Sequence, residues 1–197
     1  MSKTEINENY ETDENIEDII DIEDIDLSGI ADPSEDKDTG KTGKKGPDEE
    51  KFREEMDRLM AMKEIQHMAD FSQHNGNTTL QHVRNVAWVS FRMAKKLGWD
   101  IDEVSLARGA MLHDYYLYNI REEGISDYDH GIHHPLMALH NARKLKRLTR
   151  KEENIIRSHM WPLTLLHPPT SREALLVSMA DKVCAVNEMF LNKKNQE

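Results

Sequence analysis

From Asp48 onward, apolar residues recur at intervals of three and four, and no segment alternates convincingly with a period of two. That pattern predicts an all-α domain. A first helix is expected from about residue 48 to 71, with Phe52, Met56, Leu59, Met60 and Lys63 on or beside one stripe and the loop Gln73-His74-Asn75-Gly76-Asn77 ending it. Thr78 or Thr79 can cap a second helix whose stripe is His82, Val86, Val89 or Ser90, Met93 and Leu97, and Gly98 stops it. Asp102 can cap a third, in which Leu106, Ala110 and His113 share a face, so that His113 and Asp114 arrive at its C-terminal end from the buried side. Pro135 suits the first turn of a fourth helix reaching about Leu148, with His134 at its entrance. Thr149 and Glu152 read as a capping box for a fifth helix, where Ile155, Ile156 and His159 share a face. Thr170 and Glu173 read as another for a last helix to about Asn192. On that helix Ala174, Ser178, Asp181 and Ala185 form a stripe of small residues that carries one carboxylate.

Composition divides this chain of 197 residues in two. The first 50 residues hold 18 acidic and 5 basic side chains, so the net charge of −11 belongs to this end and the remainder is close to neutral at +2. Residues 1–47 are expected to be a disordered acidic tail and linker, because they carry too little apolar surface to offset the entropy of ordering. Residues 48–197 are expected to form one helical domain of about six helices. Within the tail, Ile16, Ile19, Ile20, Ile22, Ile25 and Ile30 are interleaved with acids, a pattern that reads first as a solvated tail without a partner and second as a short motif able to dock a protein. The near-neutral domain is compatible with an anionic small molecule and lacks the strong basic bias of a specific nucleic-acid binder. The run Arg143-Lys144-Leu145-Lys146-Arg147 could attract nucleotides or RNA but reads first as a solvated helix face. No apolar run is long enough to span a bilayer and no secretory signal is visible, so a cytoplasmic location is expected.

Cys184 is the only cysteine, so a bound metal would have to be held by histidines and carboxylates. Taken singly, a histidine on an apolar helix face is usually a hydrogen-bonded core residue. Here four separate helical segments each deliver a His or an Asp on the face that should point into one small core, and an inward carboxylate among Ala and Ser needs a cation, a donor or a proton. Convergence therefore favours ligands over packing. Imidazole and carboxylate donors suit divalent transition ions such as Mn, Fe, Co, Zn or Ni, one or two per chain.

The ordered set formed by Asn77 to His82, Ala107 to Asp114, His133-His134-Pro135, Ile156-Arg157-Ser158-His159 and Met179-Ala180-Asp181-Lys182 resembles the HD superfamily of metal-dependent phosphohydrolases. The resemblance covers roughly residues 65 to 190. It looks closest to small bacterial HD proteins that share His74-Asn75-Gly76, Arg108-Gly109 and Met160-Trp161-Pro162-Leu163. It implies that His82, His113, Asp114 and Asp181 hold a first metal, and that His134 and His159 hold a second with Asp114 bridging. His133 is the alternative to His134, and the residue directly before the proline is the one matching the family pattern. Tyr115-Tyr116-Leu117 departs from the residues many relatives carry after the His-Asp dyad, and the Gly-Tyr-Pro signature of cyclic-di-GMP phosphodiesterases is absent. Both argue against a cyclic dinucleotide substrate.

The function implied by the resemblance is hydrolysis of a small phosphomonoester or phosphodiester, nucleotide-like, with Asp114, His74, Arg108 and Lys182 as the residues expected to assist. Arg108 is a candidate phosphate ligand, Lys182 could orient a carboxylate or contact substrate, and His74 lies in a loop just ahead of the helix that carries His82. Tyr115, Tyr116, Tyr118 and Trp161 could wall a pocket or simply pack. His67, His130, His140 and His167 read as surface or packing residues. Two other readings use the same residues: a di-iron oxygenase on this scaffold, and a non-catalytic metal-binding interaction module.

Overall fold

The computed structural model describes residues 46–72, 77–119, 124 and 126–194, with side chains through Glu188. The expected tail over residues 1–47 lies, apart from its last two residues, outside the described residues, as does His74. The all-α expectation holds. The described helices are α1 (Glu49–Met60), α2 (Lys63–Gln66), α3 (Thr79–Leu97), α4 (Glu103–Leu112), α5 (Asp127–Leu145), α6 (Arg150–Ser158) and α7 (Arg172–Lys194), with a 3-10 turn at His67–Asp70. No described helix is long and apolar enough to cross a membrane.

The core is built around α4. Its Leu106, Ala107, Gly109, Ala110, Met111 and Leu112 are all buried, so this short helix is apolar on nearly every side. A helix of that kind is stable only when neighbours cover all its faces. It packs against α1, α3, α6 and α7, while α3 lies along α7 and α6 fits between α5 and α7. Gly109 permits the closest of these approaches. A Cβ at that position would lie 2.6 Å from Ile155 of α6, so the two helices meet where the glycine has no side chain.

Caps act largely as the sequence predicts. Thr78 and Gln81 form a reciprocal capping box at α3, as do Thr149 and Glu152 at α6. Asp102 caps α4, and Gly98 closes α3 in the left-handed conformation at φ 64°. The stripe His82, Val86, Val89, Ser90 and Met93 is buried along α3.

Three boundaries differ. The expected first helix is broken after Met60, because Met62 is extended and the chain restarts as α2 and the 3-10 turn. The Gln66 side chain donates to the Met60 carbonyl at 2.6 Å, which satisfies the end of α1, and the redirected chain buries Ile65 and Met68. At α5, Pro135 lies inside the helix, which starts at Asp127 with Ser126 as its cap. A proline removes one backbone donor and crowds the residue four before it. That residue is Gly131, which has no side chain to add to the crowding and packs so closely on the segment after α6 that a Cβ there would meet Leu163 at 2.9 Å. His134 is therefore in the middle of α5 and not at its entrance. At α7, Ser171 rather than Thr170 receives the first turn's amide, with Ala174 N–H donating to its Oγ. Glu173 turns instead to the Asp102 N–H at 2.7 Å and Lys151 at 2.8 Å, tying together the starts of α4, α6 and α7.

Because Ile155 has no room to withdraw within a packed core, Gly109→Ala is expected to destabilise the domain by about 1–3 kcal/mol. Urea denaturation followed by circular dichroism measures it, and an unchanged midpoint would show that α4 and α6 separate freely.

Candidate metal centre

Two of the clustered histidines reach the cluster by the same local device. His113 ends α4 and His159 ends α6, both with helical backbone angles, and each ring folds back so that Nδ1 donates to the carbonyl three residues earlier. His113 Nδ1 lies 2.6 Å from the Ala110 oxygen and His159 Nδ1 lies 2.7 Å from the Ile156 oxygen. A carbonyl only accepts, so Nδ1 carries the proton and Nε2 presents a bare lone pair in the neutral ring. His134 does the same from within α5, with Nδ1 at 2.8 Å from the His130 oxygen. His82, in the first turns of α3, is held through Nδ1 by both oxygens of Glu188 at 3.2 Å.

These four Nε2 atoms surround two carboxylates from Asp114 and Asp181, and all six residues are buried. Asp114 follows the α4 C-cap on a tight turn that ends with Leu117 at a left-handed φ of 59°. The Asn141 side chain of α5 donates to the Tyr115 and Tyr116 carbonyls at 3.1 Å each, which holds that turn in place. The Asp114 carboxylate consequently faces two ways. Its Oδ2 is 3.7 Å from His82 Nε2 and 3.6 Å from His113 Nε2, while its Oδ1 is 3.2 Å from His134 Nε2 and 3.4 Å from His159 Nε2. Asp181 sits on the first side, with Oδ1 3.1 Å from His82 Nε2 and 3.6 Å from His113 Nε2.

These donors fit cations. His113 Nε2 is buried with no hydrogen-bond partner among the described residues. His134 Nε2 and His159 Nε2 are 2.6 Å apart although each ring already donates through Nδ1, so two lone pairs would face one another without a cation or proton between them. Donors from His82, His113 and Asp181, and from His113, Asp114 and His159, lie close enough to share an ion. Those two groups share His113, and the Asp114 carboxylate lies between the His82–His113 pair on one side and the His134–His159 pair on the other.

The electrostatics agree. Burial pushes the Asp114 carboxyl up, but His113, His134 and His159 around it outweigh burial and hold it well below the usual carboxylate range. Asp181 is held down likewise by His113 and His82 against the effect of burial. Burial, reinforced by the neighbouring His134 and His113, pushes His159 down to about 3, which favours the neutral ring that a metal would need. Burial also disfavours a charged His82, yet hydrogen bonds to Asp181 and Glu188 and the charge on Asp114 raise it to about 10.

Two residues expected at the site are occupied elsewhere. Arg108 bonds with Glu55 of α1 and lies 3.4 Å from Glu152 of α6, so its guanidinium neutralises two buried carboxylates on another side of α4. Lys182 donates to the His159 carbonyl at 2.9 Å and to the Ser178 carbonyl and hydroxyl at 2.8 and 3.2 Å. Those bonds engage three acceptors and clasp the end of α6 to α7. His133 is exposed, whereas His134 points inward. Glu188 was not singled out from the sequence, although its position two helical turns after Asp181 places it on the same face. His130 does more than pack: its ring stacks on His134 at 4.4 Å and its Nδ1 meets the Tyr118 hydroxyl at 2.9 Å.

The HD domain family model matches residues 79–186, more than half of the chain and a span that contains all six clustered residues, and the chain belongs to that family. The family consists mostly of metal-dependent hydrolases. Comparison with curated proteins and with solved structures gave no match.

Two predictions follow from this arrangement. Glu188→Gln should retain the fold but weaken metal binding by about tenfold or more, because the glutamate orients His82 and raises its basicity; equal affinity in a competition titration with a chelating dye would remove Glu188 from that role. The raised pKa of His82 means that the protonated ring stabilises the metal-free protein fully below its unfolded value of about 6.5, and that this contribution is lost as pH rises towards about 10. A metal competes with the same proton, so uptake near pH 7.5 should release about one proton from His82 and tighten as pH rises. Calorimetry in buffers of different ionisation enthalpy reads this release directly, and metal uptake with none would contradict it.

Proposed function

We propose that this protein is a metal-dependent phosphohydrolase that cleaves a small phosphomonoester or phosphodiester, nucleotide-like in character. The observation that carries this reading is the two-sided Asp114 carboxylate, with His82, His113 and Asp181 on one side and His134 and His159 on the other. His82, His113, Asp114 and Asp181 would hold one divalent transition ion, and His134, His159 and Asp114 a second. Such ions supply water activation near neutral pH and charge stabilisation for phosphoryl transfer.

The chain's own contribution is to keep the site ready for that chemistry. The backbone carbonyls of Ala110, His130 and Ile156 keep three imidazoles in the tautomer that offers Nε2. Glu188 does the corresponding work for His82. Asp114 and Asp181 are held as carboxylates by the imidazoles around them. Tyr118 and His130, bonded to one another beside His134, orient that ligand. Arg108 is committed to Glu55 and Glu152, so it is assigned to stability and not to phosphate binding.

The test is phosphate release from a panel of mono- and diesters by protein loaded with Mn, Fe, Co, Zn or Ni. Wild type is expected to turn over at least one member and Asp114→Asn none, with metal content falling from about two ions per chain to near zero in Asp114→Ala and about one in His159→Ala. No release from any ester by a fully loaded protein would refute the hydrolase assignment. Activity with Mn or Co under strict anoxia would exclude an oxygenase. Arg108→Met is expected to act differently, costing about 3 kcal/mol of stability by stranding buried carboxylates, while folded protein keeps its turnover.

A further inference from the structure

A cavity lies away from the metal centre, between α1 and α3. It has a volume of about 330 Å³ and is lined by Glu49, Arg53, Trp88, Phe91, Arg92 and Lys95. The Arg53 guanidinium lies 4.7 Å above the Trp88 ring, and the buried Phe91 closes the floor. Three cations therefore meet one carboxylate. Glu49 is shared between Lys95 at 2.9 Å and Arg53 at 3.4 Å, so among the lining residues basic side chains outnumber acidic ones, beside an aromatic wall. Its chemistry suits a ligand that brings both carboxylates and aliphatic side chains.

The chain contains such a segment. Residues 16–30 hold six acidic residues, seven isoleucine or leucine residues and no basic one. The described chain begins at residue 46 and enters α1 at Glu49, itself part of the cavity wall, so everything before it is tethered at the rim. The intervening residues 31–45 would have a root-mean-square reach of roughly 20 Å as a flexible linker and a maximum near 50 Å. A tether of that length gives an effective concentration in the millimolar range, enough for even a weak contact to be mostly formed.

We propose that the acidic isoleucine segment, residues 16–30, docks in cis into the cavity between α1 and α3, its carboxylates facing Arg53, Arg92 and Lys95 and its aliphatic side chains against Trp88. Docking there leaves the metal centre uncovered, since Lys95 lies 13 residues beyond His82 on α3, roughly 20 Å along its axis. A protein partner for this segment would have to displace it from the cavity first.

The experiment uses the full chain with Ser28→Cys carrying a bimane fluorophore, which tryptophan quenches on contact. Ser28 lies among the aliphatic residues without being one of them, and Cys184 is buried and so shielded from labelling. If more than half the molecules are docked, bimane emission should rise by at least about twofold in Trp88→Phe and again in Arg53→Glu combined with Lys95→Glu. Arg53 and Lys95 side chains are about half exposed or more, so the charge reversal should leave the circular dichroism of the domain unchanged. Equal emission in all three proteins would overturn the proposal, as would dim emission that persists after charge reversal. Quenching relieved by an excess of unlabelled protein would mean that the segment sits on a second copy, which overturns docking in cis.

Discussion

Four imidazoles and two carboxylates buried within one helical core make up the interaction on which the rest of this structure depends. Removing charged groups from water is costly unless each is paired and hydrogen-bonded. In this protein the cost is offset collectively: Asp114 is shared among His82, His113, His134 and His159, and Asp181 between His82 and His113. No single helix could assemble that group. It requires α3, α4, α5, α6 and α7 to meet at one place, and the apolar packing around α4 brings them there.

The supporting contacts reveal a division of labour. Backbone carbonyls set three imidazole tautomers; those of Ala110 and Ile156 are acceptors that a helix leaves unsatisfied at its C-terminus, whereas that of His130 lies within α5. Lys182 caps the same end of α6 that presents His159, so the helix terminus and that imidazole are positioned by one clasp. On another side of α4, Arg108 bridges Glu55 and Glu152 and joins α1 to α6. The contacts of Arg108 and Lys182 thus join helices to one another: α1 to α6 through Arg108, and α6 to α7 through Lys182. The acidic end of the chain and the cationic cavity beside its point of attachment add a second charge relationship, physically separate from the first.

Much of this was legible in the sequence, because helical periodicity and capping depend on residues only three or four apart. The stripe through His82, Val86 and Met93, the caps at Thr78, Asp102 and Thr149, and the stop at Gly98 are local signals of that kind. The inward placement of His82, His113, His159 and Asp181 follows from the same periodicity. What remained hidden depended on partners distant in the chain. Pro135 lies inside a helix that starts eight residues earlier at Asp127, and Arg108 pairs with Glu55 across a helix interface. Glu188 becomes visible only when α7 is laid along α3, since its partner His82 is 106 residues away. By itself, then, the sequence determined the helices, their caps and the residue types able to bind metal. The tertiary structure decided which cations serve the core, how Asp114 divides its oxygens and which carboxylate orients His82, because electrostatic pairing depends on separation in space and not along the chain.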